Sequence, residues 1–150
     1  LMLGYLDASL DKEAFDENGY FRTGDLGIID EDGYVVISGR LKDVIIRHGE
    51  NISAKEVEDL LFGHPQIADI AVIGLPDTVT GERACAVVST AEDHSPITLS
   101  ELRTYLENAG LRKNAIPEQL MIIDSIPRNP SGKVTKNILQ EQFKTVPFER

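Results

Sequence analysis

The apolar stretch Ile67-Ala-Asp-Ile-Ala-Val-Ile-Gly-Leu-Pro76 decides the fold of this 150-residue chain. Its mostly apolar, β-branched composition predicts a buried strand, and Arg83-Ala-Cys-Ala-Val-Val-Ser89 predicts the antiparallel neighbour of that strand. Glu118-Gln-Leu-Met-Ile-Ile-Asp124 predicts a further strand, and Lys42-Asp-Val-Ile-Ile46 predicts a short one. These four segments predict a small sheet.

Helix signals lie between and after these strands. Ser53-Ala-Lys-Glu56 and Thr98-Leu-Ser-Glu101 match capping boxes, in which a hydroxyl and a carboxylate satisfy free amides at a helix start. Apolar residues at helical spacing follow each box, and residues 136–143 predict a closing helix. From Lys42 onward the order is β-α-β-β-α-β-α. This order predicts an α+β fold, a small mixed sheet with its two main helices on one face.

The residues before this sheet predict a separate unit. Gly27-Ile-Ile-Asp-Glu-Asp-Gly-Tyr-Val-Val-Ile-Ser38 is two β-rich runs around a turn, which predicts a hairpin. Residues 1–42 carry nine acidic and four basic residues, and residues 43–150 carry sixteen and eleven. The net charge is therefore −5 in each part, although the first is much shorter. We predict a domain boundary between Lys42 and Asp43.

Composition excludes several classes of function. The formal charge of −10 argues against a nucleic-acid-binding face or docking on an anionic membrane. No apolar run approaches the roughly 20 residues that span a bilayer, so we expect no membrane segment. The single cysteine, Cys85, excludes an internal disulfide and suits a reducing, cytoplasmic compartment. The apolar opening Leu1-Met-Leu-Gly-Tyr5 has no start methionine, and we expect the chain to be a piece of a longer protein.

The tripeptide Thr23-Gly-Asp25 is the first segment that could carry chemistry. An aspartate after a glycine in a loop can accept two hydrogen bonds, which suits a vicinal diol such as a ribose. The same tripeptide is also ordinary turn chemistry. By itself it leaves both interpretations open.

A cationic segment follows the hairpin. Arg40, Lys42 and Arg47 lie within eight residues, and Gly49 behind them permits close backbone approach by a ligand. These cations could equally pair with nearby aspartates at the surface, in contacts worth about 0–1 kcal/mol. His48 has no neighbour at metal-ligand spacing, so we predict no metal site.

Ser131-Gly-Lys133 presents a lysine on a short loop bracketed by prolines. A Walker phosphate loop is excluded, because Pro127 stands where its first glycine belongs and Val134 where it needs Ser or Thr. Five bases and two acids lie between Arg112 and Lys136, a local charge that favours an anionic ligand. We expect a small, mobile loop that delivers one lysine to a site.

Together these segments resemble the C-terminal part of the adenylate-forming enzymes: acyl-CoA synthetases, peptide-synthetase adenylation domains and luciferases. The matching residues fall in order along the chain: Gly19-Tyr-Phe-Arg-Thr-Gly-Asp-Leu-Gly27, Asp32-Gly-Tyr34, Gly39-Arg-Leu-Lys-Asp43, Gly49-Glu-Asn-Ile52, Glu56-Val-Glu58, His64-Pro65, Pro76-Asp77, Gly81-Glu82 and Pro127-Arg-Asn-Pro-Ser-Gly-Lys133. The resemblance implies that residues 43–150 are a mobile C-terminal lid domain. It implies that residues 1–42 end a large N-terminal domain.

The resemblance also implies a ligase reaction in two steps. A carboxylic acid, fatty or cyclic, would attack ATP to give an acyl-adenylate, and the thiol of CoA would then displace AMP. Mg²⁺ is expected with ATP, bound outside this chain. The partners implied are these small molecules and the missing N-terminal domain, without which we expect the chain to be inactive.

Individual roles carry over by position. Lys133 matches the catalytic lysine of adenylation, which stabilises charge where two anions meet. Asp25 matches the aspartate that binds the ribose hydroxyls of ATP or AMP, and Arg40 matches the arginine that contacts the same ribose or the phosphate. Lys42 matches the hinge residue about which the lid turns between steps. The loop from Arg47 to Asn51 resembles the one that lines the CoA channel; its members are Arg47, His48, Gly49 and Glu50.

Two alternatives stay open. The chain could be a free-standing interaction module that keeps the lid fold without catalysis, although Asp25, Arg40 and Lys133 would then have no purpose. It could also belong to a peptide-synthetase adenylation domain. The acid itself is not readable here, because the acyl pocket of such enzymes lies upstream.

Overall fold

The chain forms two compact units in a computed structural model that describes residues 2–148. Unit 1 is Leu1–Lys42 and unit 2 is Asp43–Arg150. The division falls between the same two residues as the boundary expected from charge. That unit 1 ends a larger N-terminal domain stays a prediction.

Unit 1 consists of a helical turn and a β-hairpin. The short helix α1 (Asp11–Ala14) precedes two antiparallel strands, β1 (Asp25–Ile29) and β2 (Val35–Arg40). Asp30 Oδ1 accepts hydrogen bonds from the backbone N–H of Asp32 and Tyr34 and so closes the turn between the strands. The predicted hairpin is confirmed.

The hydrophobic side chains of unit 1 lie largely open. Every residue of β1 is exposed, and in β2 only Gly39 is buried. Ile29 is 74% exposed and Val35 65%, values that are usual for surface lysines rather than for β-branched strand residues. Among the described residues of unit 1, none contributes a side chain to a hydrophobic core.

Unit 2 is built on a five-stranded sheet. Its strands are β3 (Val44–Arg47), β4 (Glu50–Ser53), β5 (Ile67–Asp77), β6 (Gly81–Thr90) and β7 (Gln119–Ile122). The strand order is β4-β3-β6-β5, all antiparallel, and β7 pairs with β6 in parallel. The long β5–β6 ladder, with Ile73 opposite Cys85, confirms the predicted pairing. The parallel β7 makes the sheet mixed, as expected.

Three helices cover both faces of this sheet. Val57 and Leu61 of α2 (Ala54–Leu61), with Leu102 and Leu106 of α3 (Leu99–Asn108), share one core cluster. On the opposite face, α4 (Lys136–Phe143) forms a second cluster. Successive residues of β5 and β6 alternate between the clusters, which is why both strands are apolar throughout.

The helix starts follow the capping patterns. Thr98 and Glu101 make a complete capping box, in which Thr98 Oγ1 accepts from the Glu101 N–H and Glu101 Oε2 accepts from the Thr98 N–H. Ser53 Oγ accepts from the N–H of Glu56 at 3.3 Å. Both predicted helices therefore begin where the sequence places them.

One strand was missed. The predicted order has no strand between residues 47 and 53, a stretch interpreted as a loop, whereas β4 occupies Glu50–Ser53. His48 and Gly49 both have positive φ, 52° and 78°, and make a two-residue turn that brings β4 back along β3. The polar sequence of β4 hid this strand, since only Ile52 within it is buried.

Candidate functional site

The Lys133 loop is a hydrogen-bonded turn. Asn129 organises it: its Oδ1 accepts from the backbone N–H of Ser131 at 3.1 Å and of Lys133 at 2.9 Å. Its own backbone N–H donates to the Lys133 carbonyl, and its carbonyl accepts from the Gly132 N–H. Gly132 takes a φ of 81°, which is open to glycine at little cost. The turn thus has a defined backbone form, and the mobility expected of this loop stays a prediction.

Arg128 ties this turn to the sheet. Its Nη1 donates to the Gly132 carbonyl at 2.8 Å, and its Nη2 donates to Asp69 Oδ2 at 2.7 Å. Asp69 lies near the start of β5. At the base of the loop, the backbone N–H and the hydroxyl of Thr135 both donate to the Pro127 carbonyl. The loop is therefore held at its tip and at its base.

The side chain of Lys133 extends into solvent. The residue is exposed, and no acidic side chain among residues 2–148 pairs with its ammonium group. Lys136, three residues on, differs: its Nζ lies 2.8 Å from Glu58 Oε1 and 4.0 Å from Asp43 Oδ2. Of these two lysines, Lys133 is the one whose charge is open to a ligand.

Asp25 and Arg40 lie side by side in unit 1. They face each other across the β1–β2 ladder, and Arg40 Nε donates to Asp25 Oδ1 at 2.8 Å. The side chains are 29% and 45% exposed, so the pair is accessible from solvent. A carboxylate whose second oxygen is open beside a guanidinium can bind a diol or a phosphate oxygen.

Lys42 occupies the junction of the two units. It is exposed in a 3-10 turn, Leu41–Asp43, between β2 and β3. The next residue, Asp43, approaches Lys136, which in turn pairs with Glu58 of α2. Glu58 also accepts a hydrogen bond from the Val72 N–H of β5 at 2.7 Å. Unit 2 is thus tied together from its first residue onward.

The predicted CoA-channel residues form the tip of the β3–β4 hairpin. Arg47 and Glu50 face each other, and His48 and Gly49 make the exposed turn. Three contacts from elsewhere hold the hairpin. Glu82 Oε2 accepts from the Ile46 N–H, the Thr80 carbonyl accepts from the His48 N–H, and Arg112 donates to the Asn51 carbonyl.

Arg47 makes the strongest of the hairpin's contacts. Its Nε and Nη2 donate to the two carboxylate oxygens of Glu118, both at 2.9 Å. The side chains are only 23% and 15% exposed. The hydrogen bonds to Glu118 raise the pKa of Arg47, against an opposing effect of burial. The guanidinium is therefore engaged within the fold.

Sequence reasoning did not identify the residues that position these loops. Arg128 and Asn129 were interpreted only as part of a basic, proline-rich motif, and Glu118 as part of a strand. Their partners lie far away along the chain: Asp69 is 59 residues from Arg128, and Arg47 is 71 residues from Glu118. The one local signal was Asn129, because asparagine two residues before a Ser-Gly pair is typical of a side-chain-closed turn.

The described residues contain no group of three or more His, Cys, Asp and Glu that could hold a metal ion. We derive no step through a metal in this chain. Nor is any helix of residues 2–148 long and apolar enough to cross a membrane.

Solved structures first define the class of this fold. The ATP-bound MatB from Rhodopseudomonas palustris superposes with a TM-score of 0.82 at 38% identity, covering 90% of this chain and 26% of that one. Unit 2 has the architecture of the C-terminal lid domain of adenylate-forming enzymes. A family model, the AMP-binding enzyme C-terminal domain, matches residues 56–133. The chain belongs to this family.

Relatives of known activity fall in two groups. The medium-chain fatty-acid–CoA ligase of Escherichia coli is 41% identical over 144 residues, covering 95% of this chain and 25% of the relative. The salicyl-AMP ligase / salicyl-S-ArCP synthetase of Mycobacterium tuberculosis is 43% identical over 141 residues, with 93% and 25% covered. The chain therefore spans about a quarter of the length of the curated relatives it matches.

Proposed function

We propose that the chain is the C-terminal part of an ATP-dependent carboxylic acid–CoA ligase. The acid's carboxylate attacks the α-phosphate of ATP, pyrophosphate leaves, and an acyl-adenylate results. The CoA thiol then attacks the acyl carbonyl and AMP leaves. One observation carries the proposal: the family match ends at Lys133, and this lysine stands exposed on an ordered turn with no acidic partner among the described residues.

Lys133 supplies the cation for the first step in this proposal. Carboxylate and triphosphate are both anionic, so charge concentrates as they approach, and a fixed ammonium group stabilises that transition state. The ordered turn supports this role, because preorganised charge needs no rearrangement at the moment of reaction. Lysine suits a bridging position better than arginine, since it is a compact point charge.

The other predicted residues take their roles around this step. Asp25 and Arg40, already adjacent, bind the ribose or phosphate of the nucleotide. Lys42 is the hinge about which unit 2 turns between the half-reactions. The hairpin tip at His48 and Gly49 lines the passage for the thiol arm of CoA. The nucleotide's Mg²⁺ is bound by the N-terminal domain, and the enzyme works in the cytoplasm, where ATP and CoA are available.

The exposed apolar side chains of unit 1 support the proposal of an additional domain. A two-stranded hairpin is marginal by itself in water, and this one exposes apolar residues on both faces. We propose that the large N-terminal domain covers them. The acyl pocket belongs to that domain, so by itself the chain should form no acyl-adenylate.

The test replaces Lys133 by alanine in the full-length protein. We expect adenylation, measured as pyrophosphate release with a panel of acids of graded length, to fall by at least a hundredfold. Thioester formation from supplied acyl-adenylate should change far less. Lys55→Ala is the matched control, because Lys55 is a partly exposed lysine whose ion pair among the described residues is with Asp59 on α2. An equal loss of both steps would overturn the role of Lys133.

A second candidate differs in the acid and in the thiol. The relative from M. tuberculosis is named for transfer to ArCP and matches this chain as well as the fatty-acid ligase does. An aryl acid and a carrier-protein thiol are therefore included in the same assay. If no acid is adenylated by the full-length protein, the free-standing interaction module becomes the better interpretation.

A further inference from the structure

We propose that Arg128 and Arg47 are positioning residues, each bracing one reacting segment of unit 2 for one of the two half-reactions. The Arg128–Asp69 brace fixes the Lys133 loop for adenylation. The Arg47–Glu118 brace fixes the His48–Gly49 tip for thioester formation. The inference rests on the proposed function, and it assigns no contact with substrate to either arginine.

The Arg128 brace acts on the backbone beside Lys133. One nitrogen of the guanidinium holds the carbonyl of Gly132, the residue before the lysine, and another holds Asp69 of β5. Asp69 is itself oriented, because its other oxygen accepts from the Ile70 N–H at 2.9 Å. The side chain of Arg128 therefore connects the tip of the loop to the central sheet.

The Arg47 brace acts on the base of the hairpin. Glu118 directly precedes β7, and its own N–H donates to the Ala84 carbonyl of β6, so the carboxylate is fixed to the sheet. The two parallel hydrogen bonds from Arg47 fix both the position and the orientation of β3 at the residue before the turn. A planar bidentate pair does this where one point contact would not.

Engagement with Glu118 also competes with another role for Arg47. The resemblance places Arg47 in the CoA-channel loop, where its charge could meet a phosphate of CoA. Its hydrogen bonds through Nε and Nη2 go to one carboxylate, in a pair less than a quarter exposed. A phosphate that displaced Glu118 from Nε and Nη2 would leave that carboxylate partly buried and unpaired, which is unfavourable.

The two braces are independent because they attach far apart. Asp69 pairs with Ser89 near the end of β6, whereas Arg47 pairs with Gly81 at its start. Eight residues of extended strand separate those points, about 27 Å. Loss of one brace should leave the other segment in place.

The experiment removes the carboxylate of each brace in the full-length protein. With Asp69→Ala we expect kcat for adenylation to fall about ten- to hundredfold while thioester formation from supplied acyl-adenylate stays within twofold. With Glu118→Ala we expect the reverse. A merely destabilised lid would lower both steps together, so the ratio of the two rates reports positioning. An equal fall in both, or no change in either, would overturn the inference.

Controls separate this inference from the proposed function. Asp59→Ala breaks the exposed Lys55–Asp59 pair on α2 and should alter neither step. Lys133→Ala is measured alongside. If the wild-type protein adenylates no acid, the proposed function fails. If Lys133→Ala keeps adenylation, the role proposed for Lys133 fails; if it loses adenylation while Asp69→Ala does not, only the brace inference fails. Should Glu118→Ala not fold, Glu118→Gln keeps the size and removes the charge.

A charge exchange tests whether Arg47 acts through Glu118. In the double variant Arg47→Glu/Glu118→Arg, we expect at least half of the thioester rate lost in Glu118→Ala to return. The opposite result would be no recovery of the thioester rate together with a KM that rises for CoA but not for dephospho-CoA. That result would place Arg47 on a CoA phosphate and overturn its assignment.

Discussion

Cys85 lies at the centre of the sheet, fully buried on β6 opposite Ile73. It belongs to the α4-side core together with Leu75 and Val87. Burial raises the pKa of its thiol to about 12, against a smaller opposing effect of Arg83. The residue is therefore a small hydrophobic side chain in this fold and has no chemical role.

We predict that native Cys85 resists alkylation. At pH 8 a thiol with a pKa of about 12 is thiolate in only about one molecule in ten thousand, and the sulfur is inaccessible as well. Iodoacetamide labelling followed by mass spectrometry should be at least about a hundredfold slower in buffer than in about 8 M urea, which unfolds the protein. Rapid labelling of the folded protein would contradict the buried position.

At the same scale, the turn before Lys133 depends on a single asparagine. Asn129 accepts from Ser131 and Lys133 through one oxygen, a pattern available to aspartate but to no apolar residue. The catalytic role proposed for Lys133 thus depends on neighbours that never meet the substrate. This is the reason that a list of reactive residues read from the sequence is incomplete.

Among the elements, α3 shows most directly how a local pattern becomes stability. Its capping box is complete, and the Thr98 hydroxyl also donates to Glu101 at 2.7 Å. These hydrogen bonds from Thr98 lower the pKa of Glu101. Leu102 and Leu106 then pack in the core.

We predict that Thr98→Ala lowers the free energy of unfolding by about 1 kcal/mol, because the Glu101 N–H in the first turn of α3 loses its partner. Thr104→Ala on the exposed side of the same helix should change it by less than about 0.5 kcal/mol. Urea denaturation measures both. Equal effects would mean that general helix propensity, not the cap, is responsible.

The cap should also depend on pH. The folded pKa of Glu101 lies below its ordinary value of 4.5. Its contribution is therefore complete above that ordinary value and disappears as the pH falls through the lowered one. The difference between wild type and Thr98→Ala should accordingly shrink below about pH 4, and a difference independent of pH would contradict the ionic part of the box.

For the molecule as a whole, stability is divided unequally between the units. All core side chains among the described residues come from Ile45 onward, and unit 1 contributes none. The two faces of the unit 2 sheet are covered by helices, whereas no described side chain of the unit 1 hairpin lies in a hydrophobic core. Unit 2 therefore has a core of its own to keep it folded in water, whereas unit 1 needs a surface that covers its exposed apolar residues.

We predict that removing residues 1–42 leaves the thermal midpoint of unit 2 within about 3 °C, since no core contact is lost. Differential scanning calorimetry of residues 43–150 measures this. Removing residues 136–148 instead deletes Leu139 and Phe143 from the core and should abolish the cooperative transition. A large fall for the first truncation would show that unit 1 stabilises unit 2.

Much of the fold was determined by sequence alone. The hairpin of unit 1, the β5–β6 pair, the cap of α3 and the helix at Lys136–Phe143 each follow from patterns spanning a dozen residues or fewer. Two features of the fold were not predicted from the sequence. Strand β4 is too polar to show periodicity, and α4 lies on the opposite face from α2 and α3, which no local pattern encodes.

The candidate site divides in the same way. The segments that carry Lys133, Asp25 and Gly49 stand out in the sequence because each is short and contiguous, and the roles of these residues are what the family resemblance implies. The residues of the Arg128–Asp69 brace are 59 positions apart in the sequence, and those of the Arg47–Glu118 brace are 71 positions apart. They meet only in the folded sheet. An ion pair depends on distance in space, and only the packed tertiary structure determines that distance.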